Sequence, residues 1–124
     1  MRKTLIAAAL FIANSAAAHE LTPTYPEFKQ SYVDNVLVTQ LKLWNRRQDV
    51  EYYEIDVYDK NWFNIKFASA NKVIKVGYLE HQVIDIYIRE TDLDNVEYIC
   101  TTSKQLKQDV QSTGVKSMIC SRVK

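Results

Sequence analysis

The sequence predicts an all-β protein, an immunoglobulin-like antiparallel β-sandwich of about seven strands. Three observations predict it. Apolar and polar residues alternate with period two over most of the chain after residue 36, the pattern of half-buried strands. Polar turn clusters interrupt that alternation at short, regular intervals, as in a sandwich. The composition sets 8 Tyr, 4 Phe and 2 Trp against only 2 Gly and 2 Pro, which favours strands over flexible linkers. Two packed sheets are expected because a single open sheet would leave one apolar face wet. An α+β domain capped by a short helix over 104–110 is the competing architecture.

Leu37, Thr39, Leu41 and Leu43 share one face of the first long strand, which Asn45-Arg46-Arg47-Gln48-Asp49 ends with turn residues. Segment 50–58 follows, with Tyr53, Ile55 and Val57 on one face and Glu54, Asp56 and Tyr58 on the other. Asp59-Lys60-Asn61 reads as the next turn, 62–67 as a strand and 73–76 as a shorter one. Gly77 marks a bend before 81–89, where Ile84, Ile86 and Ile88 alternate with Asp85, Tyr87 and Arg89. An acidic turn at 91–95 leads to a strand at 96–102, a polar loop at 103–114 and a last strand at 115–123.

The first residues read as an export signal. Met1, Arg2 and Lys3 are followed by an apolar run at 4–13 and by Ala16-Ala17-Ala18, the small-residue site that a signal peptidase requires. Residues 1–18 are therefore expected to be a signal peptide and 19–124 one domain, periplasmic or secreted. The apolar run is shorter than the roughly 20 residues that span a bilayer, so no membrane span is expected in the mature chain. The whole sequence has 16 basic and 15 acidic side chains; without Arg2 and Lys3 the balance is 14 against 15. That net charge of −1 carries no electrostatic footprint for nucleic acid.

Export makes a disulfide possible, and Cys100 and Cys120 are the two cysteines available. They enclose 120 − 100 − 1 = 19 residues, and closing such a loop contributes about 3 kcal/mol in the chain-entropy model. With both cysteines bridged and no nucleophile motif beside either histidine, no catalysis and no cofactor are expected. Glu51, Glu54 and Asp56 place carboxylates close together, a pattern that also simply keeps a sheet soluble. Cleavage after Ala18 would make His19 the first residue, so that its amino group and imidazole, with His81 as a second imidazole, form a possible copper site. Tyr52 and Tyr58 are the surface candidates of an aromatic set that includes Tyr53, Trp62 and Phe63.

Tyr98-x-Cys100 places a tyrosine two residues before a cysteine, as in the tyrosine corner of immunoglobulin-like domains. Leu21-Thr22-Pro23, Leu41-x-Leu43-x-Asn45, the 79–88 stretch, Tyr98-Ile99-Cys100 and Ile119-Cys120-Ser121-Arg122 together resemble the first domain of periplasmic pilus-assembly chaperones, particularly those with a long loop between the last two strands. The resemblance implies capture of a protein partner, such as a pilus or surface subunit, along a sheet edge. It further implies that Arg122, where the family usually has a lysine, holds the partner's terminal carboxylate, and that Val115 and Ile119 are apolar contacts of the last strand. No basic residue stands between Thr22 and Phe28 to match the family's first-strand arginine. A secreted inhibitor or exclusion factor using the 103–114 loop is a further possibility.

Overall fold

The computed structural model describes residues 19–104 and 116–123. Eight strands form two antiparallel sheets: β1 Glu20–Thr22, β2 Lys29–Gln30, β3 Val36–Trp44, β4 Tyr52–Tyr58, β5 Val73–Lys75, β6 His81–Arg89, β7 Tyr98–Lys104 and β8 Met118–Arg122. In sheet A, β3 pairs with β6 along its whole length, while its other edge takes β1 near one end and β2 near the other. Sheet B runs β5-β4-β7-β8. The acidic turn forms a 3₁₀ turn, Glu90–Asn95, between β6 and β7.

The alternation read from the sequence sets the faces. Leu37, Leu41 and Leu43 of β3 and Ile84, Ile86 and Ile88 of β6 point inward from sheet A. Tyr53, Ile55 and Val57 of β4 and Ile99 of β7 meet them from sheet B. Each such aliphatic side chain contributes about 1.5–3 kcal/mol by leaving water.

Three expectations shift. Segment 62–67 forms no regular strand: only isolated bridges at Asn64 to Tyr58 and Ala68 to Tyr87 remain. The cause is Trp62, which stands in the left-handed region at φ 68° and turns the chain out of extended geometry. The seventh strand starts at Tyr98 rather than 96, because Val96 closes the 3₁₀ turn and is fully buried. The last strand is described from Met118 onward; Val115 and the 104–110 helix of the competing architecture lie outside the described residues beyond Lys104.

One corner holds four strands together. Asn45, immediately after β3, is fully buried, and its amide donates to Val50 O at 2.7 Å and Val76 O at 2.8 Å. Its side-chain oxygen accepts from Arg47 N at 2.8 Å and from the Tyr53 hydroxyl at 2.5 Å. Its backbone N–H donates to Glu80 O and its carbonyl accepts from Leu79 N. Burial pushes the Tyr53 hydroxyl up to about 12, so it remains a donor to Asn45.

Cys100 and Cys120 stand directly opposite each other on β7 and β8 and form the disulfide. They belong to the outward row of sheet B, beside Asp56 of β4.

Asn45→Ala should cost about 3–4 kcal/mol, because it strands several buried partners at about 1–3 kcal/mol each, whereas Tyr53→Phe should cost about 1 kcal/mol. Urea unfolding of both variants checks this ordering; equal losses would contradict it. Replacing both cysteines by serine should lower stability by about 3 kcal/mol, measured in the same way.

Candidate functional site

β8, the strand on which the resemblance implies partner capture, forms one edge of sheet B. In an antiparallel ladder, alternate residues turn their backbone groups toward the partner strand and away from it. Ser103 N donates to Ser117 O, and Arg122 N donates away from β7 to Thr24 O at 2.9 Å. The same alternation directs the N–H and C=O groups of Met118 and Cys120 outward, where no backbone partner meets them among the described residues. The chain just after β1 seals the end of this edge, since Pro23 O accepts from the Ser121 hydroxyl at 2.7 Å. The stretch of β8 without backbone partners therefore runs from Met118 to Cys120, with β1 packed alongside it.

Arg122 lies at the sealed end, on the outer face, opposite Tyr98. Its Nε and Nη2 both donate to Glu97 Oε2, at 3.0 and 2.9 Å, and the Arg122 side chain is 58% exposed against 18% for Glu97. A guanidinium has five N–H donors, so it retains donors for a second carboxylate. Ile119 faces the interior, half-buried against the core, while Met118 is 50% exposed beside it. Val115 lies outside the described residues.

An aromatic stack adjoins this end of the sheet. The Trp62 ring lies parallel to Tyr98 at 4.2 Å, with Tyr58 at 5.4 Å. The turn that presents it is braced by Asp59, whose carboxylate accepts from Asn61 N at 2.8 Å and Phe63 N at 2.9 Å. A left-handed conformation costs a non-glycine residue about 1–2 kcal/mol, which this brace and the stacking offset. The sequence singled out Trp62 and Tyr58 but gave no sign that Tyr98, distant along the chain, lies beneath the indole. Tyr53, from the same aromatic set, is in the core.

His19 and His81 are not brought together. His81 packs at a tilt against Trp44, with ring centroids 4.6 Å apart, on the outer face of sheet A. His19 is buried between the sheets, with its ring 4.5 Å from Tyr53. Its Nε2 lies 3.1 Å from Thr101 O and 2.8 Å from Thr101 Oγ1, and its Nδ1 lies 3.3 Å from Ser117 Oγ. A carbonyl only accepts, so Nε2 carries the proton and Nδ1 accepts from the Ser117 hydroxyl. The nitrogen that a terminal chelate would use is thus already engaged. Burial, partly offset by the bond to Thr101 O and reinforced by the Arg47 charge, holds His19 down at about 4.

The carboxylates are also engaged. Glu51 pairs with Lys75 at 3.8 Å, Glu54 with Lys104 at 3.6 Å, and Asp56 accepts from Asn64 at 3.4 Å. Burial, then the charge of Glu54, raises the Asp56 carboxyl above its ordinary value. Among the described residues no group of three or more His, Cys, Asp or Glu side chains is placed to hold a metal ion, and no helix is long and apolar enough to cross a membrane.

The chain matches no protein-family model and no curated protein. Its fold is similar to that of PapD-like (ASH) domain 7 of human CEP192, with a TM-score of 0.55 and 8% identity over 97% of this chain and 94% of that one. It is also similar to a FixG-related protein from Vibrio parahaemolyticus, with a TM-score of 0.50 and 15% identity over 87% of this chain and 96% of that one. At such identities the likeness shows the fold alone, an immunoglobulin-like antiparallel β-sandwich.

His19 gives the site a pH dependence of definite sign. Its ordinary value is 6.5 and its folded value about 4, so unfolding takes up a proton between those limits, and stability falls as pH drops from 6.5 toward 4. His19→Phe keeps the ring against Tyr53 but cannot titrate. The wild type should therefore lose stability relative to this variant over that window, as read from urea midpoints; parallel curves would contradict the assignment.

Proposed function

We propose that the chain is an exported protein-binding domain that takes an extended segment of its partner along the β8 edge, as the resemblance to pilus-assembly chaperones implies. The observation that carries this reading is the outward row of backbone N–H and C=O groups at Met118 and Cys120, unmatched among the described residues. An added strand would satisfy them, which is how sheet edges capture peptides. The disulfide holds β8 to β7 directly behind that row. The edge is therefore fixed before the partner arrives, which lowers the ordering cost of binding. The reading involves binding without covalent chemistry and places the chain in the oxidising compartment that the disulfide suits.

Arg122 sits at the end of the open stretch, where a strand added beside β8 would terminate. In this reading it holds the partner's terminal carboxylate with the donors that Glu97 leaves free. Glu97 thereby becomes an internal competitor, keeping the guanidinium oriented until a second carboxylate reaches it.

The test uses a peptide corresponding to the last strand of a partner identified by cross-linking in the producing cell. Arg122→Ala should weaken binding by roughly 10- to 100-fold, the effect of losing a charge-assisted contact, while the thermal midpoint stays nearly unchanged. Arg122→Lys should recover part of the loss, and Glu97→Gln should tighten binding by removing the competing charge. A C-terminally amidated peptide should bind weakly and ignore Arg122→Ala. Affinities within about twofold across the series, well short of a charged contact, would overturn the carboxylate anchor.

A further inference from the structure

We infer that β6 carries a second, self-complementary edge through which two copies of this chain associate, independently of the partner edge on β8. β6 lies at the edge of sheet A. Tyr87 exchanges backbone hydrogen bonds with Ala68, at 2.9 Å in each direction, and so marks which residues of β6 turn away from β3. By period two these are Arg89, Tyr87, Asp85, Val83 and His81, of which the last three form one continuous run beyond Tyr87. Ala68 covers Tyr87 alone, since segment 62–67 fails to form a strand and the chain then returns to sheet B, where Lys72 O accepts from Ile55 N. The backbone groups of His81, Val83 and Asp85 consequently meet no partner among the described residues.

The side chains of this stretch select a second copy as the occupant. Two β6 strands related by a twofold axis run antiparallel, and with Tyr87 already occupied the three open residues pair fully in one register only. That register sets Val83 opposite Val83 of the second copy, His81 opposite Asp85 of the second copy, and Asp85 opposite its His81. Each of these pairs exchanges both backbone hydrogen bonds. Val83, 50% exposed in the single chain, gains an apolar neighbour across the axis. The flanking imidazole and carboxylate meet with complementary character on both sides, the reciprocity that an isologous contact requires. The single chain already steadies these side chains, since the His81 ring packs at a tilt against Trp44 at 4.6 Å and Asp85 accepts from the Gln40 amide at 3.0 Å. Edge strands normally carry devices that block such pairing. Here the first open position across the axis is a valine rather than a lysine.

The contact is short, so it associates weakly, and sedimentation of the purified protein should show the average mass rising from one chain toward two between ~10 μM and ~1 mM. Val83→Lys places like charges across the axis and should raise the dissociation constant at least tenfold. His81→Asp should do the same by opposing two carboxylates, and the double variant His81→Asp/Asp85→His, which exchanges the imidazole and the carboxylate, should restore association. Amide exchange at His81, Val83 and Asp85 should slow with concentration in the wild type and not in Val83→Lys. A mass of one chain at every concentration would overturn the inference. So would a dimer that all these variants leave unchanged, since it would be formed by another surface. Arg122→Ala should leave the self-association untouched, so failure of either edge is distinguishable from failure of the other.

Discussion

The structure depends on a single buried side chain, Asn45. Its amide and its backbone are fully bonded, to Val50, Val76, Arg47, Tyr53, Glu80 and Leu79. These partners lie where β3 ends, β4 begins, β5 ends and β6 begins. An aliphatic residue of similar size would leave carbonyls of two crossing segments unpaired in a dry environment, which is far costlier than the hydrophobic gain. The network therefore fixes the angle at which the chain leaves sheet A for sheet B. That angle in turn brings the inward rows of β3 and β4 into contact.

With that corner set, the remaining contacts divide by location. Across the interior, His19 bridges from the start of β1 to Thr101 on β7, closing the side of the sandwich opposite the β5 and β6 edges. On the outside, the disulfide, the Trp62 stack and the Arg122 pair all lie along β7 and β8. Sheet A presents mainly isolated polar contacts on its outer face, such as Gln40 with Asp85. The molecule thus concentrates its constraints on one sheet and leaves a bare edge on each.

Alternation made most of this fold legible. The inward sets on β3, β4 and β6 follow directly from Leu37 to Leu43, Tyr53 to Val57 and Ile84 to Ile88, because period two is enforced by backbone geometry alone. The cysteine pairing was also legible, there being two cysteines. What the sequence left illegible comes mainly from contact between residues distant along the chain. Segment 62–67 alternates well enough for a strand, but the stacking of Trp62 on the distant Tyr98 carries the turn begun at Asp59 on past Asn61, a contact that the local pattern does not encode. His19 reads as a terminal ligand beside a cleavage site, whereas its surroundings come from β4, β7 and Ser117. The pairing of Arg122 with Glu97 leaves no local sign in the sequence, because Glu97 lies 25 positions away. The two-residue β2 is too short to show any period.

The placement of His19 also bears on how long the protein survives once made. An exopeptidase working toward residue 19 must draw a few residues of extended chain into its own cleft. At His19 the ring is held between Tyr53 and Thr101, and the following residues are paired with β3. Trimming must therefore halt at that point unless the two sheets first separate, so the resistance of this end to digestion is set by the opening of the whole sandwich rather than by the sequence of the end itself.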